Sequence, residues 1–392
     1  MNPGLFFNCL DAAQLQQLKQ SVLLPHIAVN TSNMSEYKAA DIALFSVNEY
    51  RGQHPEKQAE NGLFEIRKAF YGLQRFSREV RLADLGELRP GNTRLETCQR
   101  LAEVCETLLR HDTLPLVIGG SHDLDYGQFM AYQHLEKIIT VLNVDARADL
   151  NSHATTPAQS HVEEILSHQP NYLFEYSHLG YQRYLNAPDV LATLQKLNFE
   201  LRSAGQIRDN LADTEPITSA ADMLSFDICA IKQSSAPGSF SPFPFGLTAE
   251  EACQLTWYAG TSEKLTSAGF YGYNAAADPD RTTARVMAVM LWYFVEGFCH
   301  RKQEFSFKSN YHVKYIVPVS SGSASSSYLP AGELVFYKSK LSERWWIEVA
   351  LAEEQENFYK RNIVLPCSYS DYEQALAGNI PDRWIKAREK LG

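Results

Sequence analysis

The chain has 392 residues, a formal net charge of -10 and 45% hydrophobic side chains, enough apolar content for a sizeable core in one large α/β domain or two smaller ones. An acidic balance with no dense Lys/Arg run argues against a broad nucleic-acid surface and leaves a small molecule as the expected partner. The amino-terminal residues lack a basic segment ahead of a long apolar core, no uncharged stretch reaches membrane-spanning length, and the seven cysteines include no CxxC pair, so a cytoplasmic chain with reduced thiols and no membrane contact is expected.

Residues 1–36 read as a polar lead-in with a helix over Ala12 to Gln20. Regular alternation starts at Asp41. Ile42 to Val47 predicts a buried strand, Asn48 to Gln58 a charged loop carrying Arg51 and Gly52, and Leu63 to Leu73 a helix. A short strand from Val80 to Leu85 is closed by Gly86, and Asn92 or Thr93 caps a long helix to about His111. Cys98 and Cys105 lie at helical spacing among its leucines and read as core fillers.

Leu114 to Ile118 is an apolar run that stops at a glycine pair and delivers Ser121, His122 and Asp123. That is a strand followed by a tight turn, with ligand-type side chains at its carboxyl end. After a helix from Asp125 to Lys137, Ile138 to Val144 repeats the pattern and breaks into Asp145-Ala146-Arg147-Ala148-Asp149. Helices over Val162 to Ser167, Pro188 to Leu197 and Gly205 to Leu211 alternate with a strand at Tyr172 to Leu179 and a brief one at Phe199 to Leu201. Met223 to Phe226 then forms a third apolar run, ending in Asp227-Ile228-Cys229. In an open parallel sheet, sites are built at the carboxyl ends of strands, so these three exits predict one pocket.

The loop from Lys232 to Gly246 carries Pro237, Gly238 and Phe240 among further prolines and phenylalanines, and reads as an irregular pocket wall. A helix (Ala249 to Ser262), a strand (Ala268 to Tyr273) and a long helix (Pro279 to His300) complete the alternation, which predicts a three-layer α/β/α domain with a mostly parallel sheet over 37–304. Residues 305–392 change character. Candidate strands at Tyr311 to Val319, Leu334 to Tyr337 and Trp345 to Val349, plus a short terminal helix, predict a β-rich extension packed on the main domain.

The order GGSHD, DARAD and SFDIC followed by a Pro-Gly loop resembles the arginase superfamily of ureohydrolases: arginases, agmatinases, proclavaminate amidinohydrolases and formimidoylglutamases. Echoes of the same pattern are ADIALFSVNEYRG, FEIRKAFYGL and DLGELRPGN before the first motif, and YNAAADPDRTTARVMAVMLW after the third. The resemblance implies the arginase-like fold, homo-oligomers, and a site in which GGDHS, DAHxD and SxDxD hold two manganese ions. Carried over by position, His122, Asp145, Asp149 and Asp227 match ligands of one ion, while Arg147 and Cys229 stand where the family places a His and an Asp for the other. Guanidinium offers no lone pair, so Arg147 is expected to replace the second ion as a counter-charge to the acids. Cys229 reads as a buried thiol or, less simply, a zinc ligand.

Two further departures matter. The first motif exchanges its small and acidic residues, with Ser121 before His122 and Asp123 after. The family's Glu-x-Asn-Pro, whose Glu grips a cationic substrate group, appears as Gly272-Tyr273-Asn274-Ala275, which weakens arginase and agmatinase activity most and leaves formimidoylglutamase nearest. His153 and His161 lie after DARAD, where the resemblance implies substrate-contacting or proton-shuttling groups, and either could serve as a general acid. Arg51 could meet a substrate carboxylate or face solvent.

Two functions stay open. One is a C–N hydrolase of a linear amidine, with one Mn²⁺ or Zn²⁺ held by His122, Asp145, Asp149 and Asp227, and Asp149, Asp227, Arg147 and His153 in catalytic roles. The other is a metal-free descendant that binds a small ligand or a protein partner without hydrolysing it.

Overall fold

The computed structural model describes residues 3–30, 39–53, 62–151, 154–302, 304, 310–319, 332–349 and 364–391. It divides into one unit of Met1–Leu211 with Ala221–Arg301, and a second of Ala212–Ala220 with Lys302–Gly392.

The first unit is built on a ten-stranded sheet: β1 (Phe7–Asn8), β2 (Ile27–Val29), β3 (Ile42–Val47), β4 (Leu82–Leu88), β5 (Leu114–Gly119), β6 (Ile139–Val144), β7 (Leu173–Tyr181), β8 (Glu200–Ser203), β9 (Met223–Asp227) and β10 (Ser267–Tyr271). The spatial order is β1-β4-β3-β5-β10-β9-β6-β7-β8, with β2 also on β4, and only the β1–β4 pairing is antiparallel. Every residue of β3, β5, β6, β9 and β10 is buried. Continuous apolar runs of this kind belong to parallel strands covered on both faces.

Helices supply that cover. Arg94–Leu109 is capped by Thr93, whose hydroxyl accepts the Glu96 N–H at 3.1 Å. Its Cys98, Leu101, Val104, Cys105 and Leu108 are fully buried in one cluster with Phe45, Val47, Leu85 and Val117 of the sheet. Farther along, Phe129 and Tyr132 of Asp125–His134, Val162 and Ile165 of His161–Leu166, and Leu194 of Pro188–Lys196 enclose Val141, Tyr176 and Met223. Leu63–Tyr71 and Ala249–Thr261 each pack against Thr282–Cys299. None of the described helices is long and apolar enough to cross a membrane.

The register positions the site. Ile118 pairs with Phe270, Phe270 with Phe226, and Phe226 with Val144, so four adjacent strands stand level across the sheet. The residues following Phe226 and Val144 are Asp227 and Asp145, which the sheet therefore sets at one height. His122 follows β5 after the glycine turn.

The second unit carries an antiparallel sheet of β11 (His312–Pro318), β12 (Glu333–Ser339), β13 (Trp345–Glu348) and β14 (Val364–Cys367). Leu334, Phe336, Ile347 and Trp384 form its buried interior, and the Trp384 indole N–H donates to the Glu348 carbonyl at 2.9 Å.

Four features differ from the sequence reading. The lead-in is part of the main sheet, since Phe7–Asn8 and Ile27–Val29 both pair with β4. Gly86 does not end β4. It adopts φ +90° at an irregular register against β3, and the strand continues to Leu88. A helix at Glu215–Ala220, absent from the sequence reading, belongs to the second unit, where Glu215 pairs with Arg344 at 2.8 Å. The carboxyl-terminal segment carries two helices, Tyr369–Leu376 and Asp382–Leu391, rather than one.

Candidate metal centre

His122, Asp145, Asp149 and Asp227 come together. His122 Nδ1 lies 2.9 Å from Asp145 Oδ2, 3.4 Å from Asp227 Oδ2 and 3.9 Å from Asp149 Oδ2. The other oxygens of two of the acids are occupied by donors. Asp145 Oδ1 accepts the Arg147 backbone N–H and the Cys229 thiol, each at 2.9 Å, and Asp227 Oδ1 accepts the Cys229 N–H at 2.6 Å. Each acid thereby keeps its second oxygen turned to the same place. His122 Nδ1 and Asp145 Oδ2, both buried, lack the alignment of a hydrogen bond to each other or to any other group. Buried polar atoms are nearly always paired, and this donor set could hold a divalent cation.

Backbone geometry aims two of these side chains. Asp149 adopts φ +44°, a left-handed conformation that Asp tolerates better than most residues and that is enriched at functional sites. Gly272 follows β10 at φ +84°, and a Cβ there would come within 2.4 Å of Asp227 Oδ1, so glycine leaves room for that carboxylate.

A fifth group joins them. His161, fully buried, has Nε2 at 3.5 Å from Asp149 Oδ2 and Nδ1 at 2.8 Å from Asp125 Oδ1. The donor atoms of His122, Asp145, Asp149 and His161 all lie within 4.8 Å of one another, and Asp145, Asp227 and Cys229 make a second such set.

Burial and mutual charge set the protonation. Burial, then the Asp145 charge, push the Asp149 carboxyl up to about 7 and Asp227 up to about 6. Asp145 is held low: burial opposes its charge, but His122, Cys229 and the Arg147 N–H prevail. Burial also disfavours charged imidazole at His161 and His122, and the surrounding acids outweigh it, Asp125 foremost at His161 and Asp145 at His122. The Cys229 thiol is pushed well up by burial and by Asp145.

Arg147 departs from expectation. Its guanidinium makes no ion pair with the described acids and lies over the Phe243 ring, 5.6 Å from the centroid. The nitrogen groups beside Asp145 and Asp149 are the imidazoles of His122 and His161 instead. Arg147, Asp149 and Gln159 line both a small cavity of about 30 Å³ against His122 and Asp227 and an adjoining one of about 290 Å³ bounded by Asn151 and Asn186. The first is sized for an ion or a water, and the second approaches the lower end for a small ligand.

The remaining expected residues divide. Phe240 lines the small cavity and packs against Tyr50, ring centroids 5.4 Å apart. Pro237 and Gly238 do not line either cavity; the Gly238 N–H donates to Thr283 at 2.7 Å, tying that part of the loop to the long helix instead. Arg51 is committed to Glu49 and to the Gly91 and Asn92 carbonyls, and Asp123 to Arg94. His153 lies outside the described residues. Sequence reasoning passed over Asp125 and Ser225 as site groups, although Asp125 is three residues from His122 and Ser225 two from Asp227, spacings that could have drawn attention to both.

The sequence profile of the arginase family matches residues 40–296. The formimidoylglutamase of Lysinibacillus sphaericus is 28% identical over 236 residues, 56% of this chain and 73% of that protein. That of Staphylococcus carnosus is 25% identical over 247 residues, 60% and 79% respectively. Among solved structures, Trypanosoma cruzi formiminoglutamase with Mn²⁺ is similar at a TM-score of 0.61 and 20% identity, covering 69% of this chain and 97% of that one. Formimidoylglutamase from Bacillus subtilis is similar at 0.62 and 19%, covering 72% and 92%. With its site geometry, its parallel sheet and a profile match over more than half its length, the chain belongs to the arginase family.

Proposed function

We propose that this chain hydrolyses a C–N bond of a linear amidine, in the manner of a formimidoylglutamase, with one divalent ion held by His122, Asp145, Asp149 and Asp227. The observation that carries this reading is the pair of buried, unaligned atoms His122 Nδ1 and Asp145 Oδ2, 2.9 Å apart, with carboxylates of Asp149 and Asp227 on the same point. A bound ion would act as Lewis acid and lower the pKa of a water at neutral pH. Arg147 and Cys229 leave no second set of family ligands, so a single ion is expected.

The chain's own groups do the rest. Arg147, half-buried between the two cavities, offers its guanidinium to a substrate carboxylate and orients the amidine toward Asp149. Asp149, through the carboxylate oxygen that does not hold the ion, takes a proton from the attacking water as the water oxygen bonds to the amidine carbon. The same carboxyl returns a proton to the departing nitrogen, so that an amide and an amine leave. Phe240 and Phe243 keep bulk water from one side.

The test is amine release from formimidoylglutamate, agmatine and arginine by ion-loaded protein. Turnover of the first, lost in Asp149→Asn, is expected; no turnover of any by protein that demonstrably holds its ion would overturn the reading. One observation favours the metal-free alternative: His122 and His161 are drawn toward their charged forms and could neutralise the acids themselves.

A further inference from the structure

The acids of this site are not the whole of it, because two imidazoles face the same point and both are held from behind by one carboxylate. Asp125 is buried, with 1% of its surface exposed. Its Oδ1 is 2.8 Å from His161 Nδ1, and its Oδ2 accepts the Ser225 hydroxyl at 2.9 Å. Since Ser225 gives its proton to Asp125, its oxygen is left to accept from His122 Nε2, also at 2.9 Å. Each imidazole therefore has one N–H committed to the Asp125 side, His161 directly and His122 through Ser225. The opposite nitrogens, His161 Nε2 and His122 Nδ1, are then the lone-pair atoms, and both are buried without a hydrogen bond. A carboxylate behind a ligating histidine fixes its tautomer and raises its basicity, which is how metal-binding imidazoles are commonly supported.

The spacing agrees. Donors on a tetrahedron with arms of 2.0–2.1 Å stand about 3.3 Å apart. His122 Nδ1 to Asp145 Oδ2 is 2.9 Å, His161 Nε2 to Asp149 Oδ2 is 3.5 Å, and His122 Nδ1 to Asp149 Oδ2 is 3.9 Å. The four donor atoms share one cluster within 4.8 Å.

We propose that His161 is a metal ligand of this chain, adding a second imidazole to the His122 imidazole and the site's carboxylates, with Asp125 as the positioning residue behind both imidazoles. This rests on the reading that the site binds a metal at all. The positions of Arg147 and Cys229 removed an imidazole and a carboxylate from the resembled ligand set, and His161 restores an imidazole from a different part of the chain. Imidazole content shifts preference from hard-oxygen cations toward zinc-class ions, so Zn²⁺ or Co²⁺ should bind more tightly than Mn²⁺.

X-ray absorption on the zinc-loaded full chain counts imidazoles without any substitution, and two are expected. In parallel, Co²⁺ bound to the metal-free protein reports coordination by its visible bands. His161→Ala should change those bands and weaken Co²⁺ binding at least tenfold, and Asp125→Asn should weaken it about ten- to a hundredfold while the bands remain those of a two-imidazole site. Circular dichroism identifies any variant that has not folded, and the wild-type absorption count stands independently of both. One imidazole in the wild type, or His161→Ala protein with unchanged bands and affinity, overturns the role of His161 and leaves the single-ion hydrolase intact. Wild-type protein that retains neither Zn²⁺ nor Co²⁺ overturns both.

Discussion

At the scale of single residues, the four positions matched by motif order converge, and what distinguishes this site is carried by Arg147, Cys229 and His161. Cys229 is not idle: its thiol and N–H hold Asp145 Oδ1 and Asp227 Oδ1, leaving the other oxygens for an ion. If the correspondence is right, the double variant Arg147→His with Cys229→Asp should raise metal content from one ion per chain to two by elemental analysis; an unchanged content would mean the positions do not correspond. A second residue effect lies away from the site. Arg67, 2% exposed, pairs with Asp84 at 2.6 Å, and Tyr71 donates to the same carboxylate at 2.9 Å. Arg67→Met strands a buried charge and should cost about 3–5 kcal/mol of stability, measured by urea unfolding. The placement of His161 was not legible in the sequence, because a histidine opening a short helix has no periodic signature. Only the fold shows that it meets Asp125 and Asp149.

Among the elements, the strands could be read because their runs are mostly apolar and end abruptly in polar residues, which is what a buried parallel strand opening into a site must look like. Their level ends follow from pairing register, which sequence does not state. Glu215–Ala220 escaped notice because its six residues, EPITSA, carry a proline and too few apolar positions to show a helical period. Gly272 shows how an element end controls the site. Its φ is +84°, and an alanine Cβ at this position would approach Asp227 Oδ1 to 2.4 Å, so Gly272→Ala strains the turn and displaces the carboxylate. Reduced thermal stability together with at least tenfold weaker metal binding is expected, read by calorimetry on the same sample; unaltered binding would show that Asp227 is not a ligand.

For the whole molecule, burial and the Asp145 charge favour protons on Asp149 and Asp227, which an incoming ion would displace. Ion uptake should release protons and stabilise the fold. At a free ion concentration a hundred times the dissociation constant the gain is about 2.7 kcal/mol, so chelation should lower the melting temperature by several degrees, and readdition of Zn²⁺ should restore it. The sheet of β11 to β14 belongs to the second unit together with Ala212–Ala220. The most direct measurement is metal content after equilibration with Zn²⁺ or Mn²⁺ and removal of free ion, in wild type and in Asp145→Ala. One ion per wild-type chain and none in the variant is the expected result; wild-type protein that retains no ion would contradict the account.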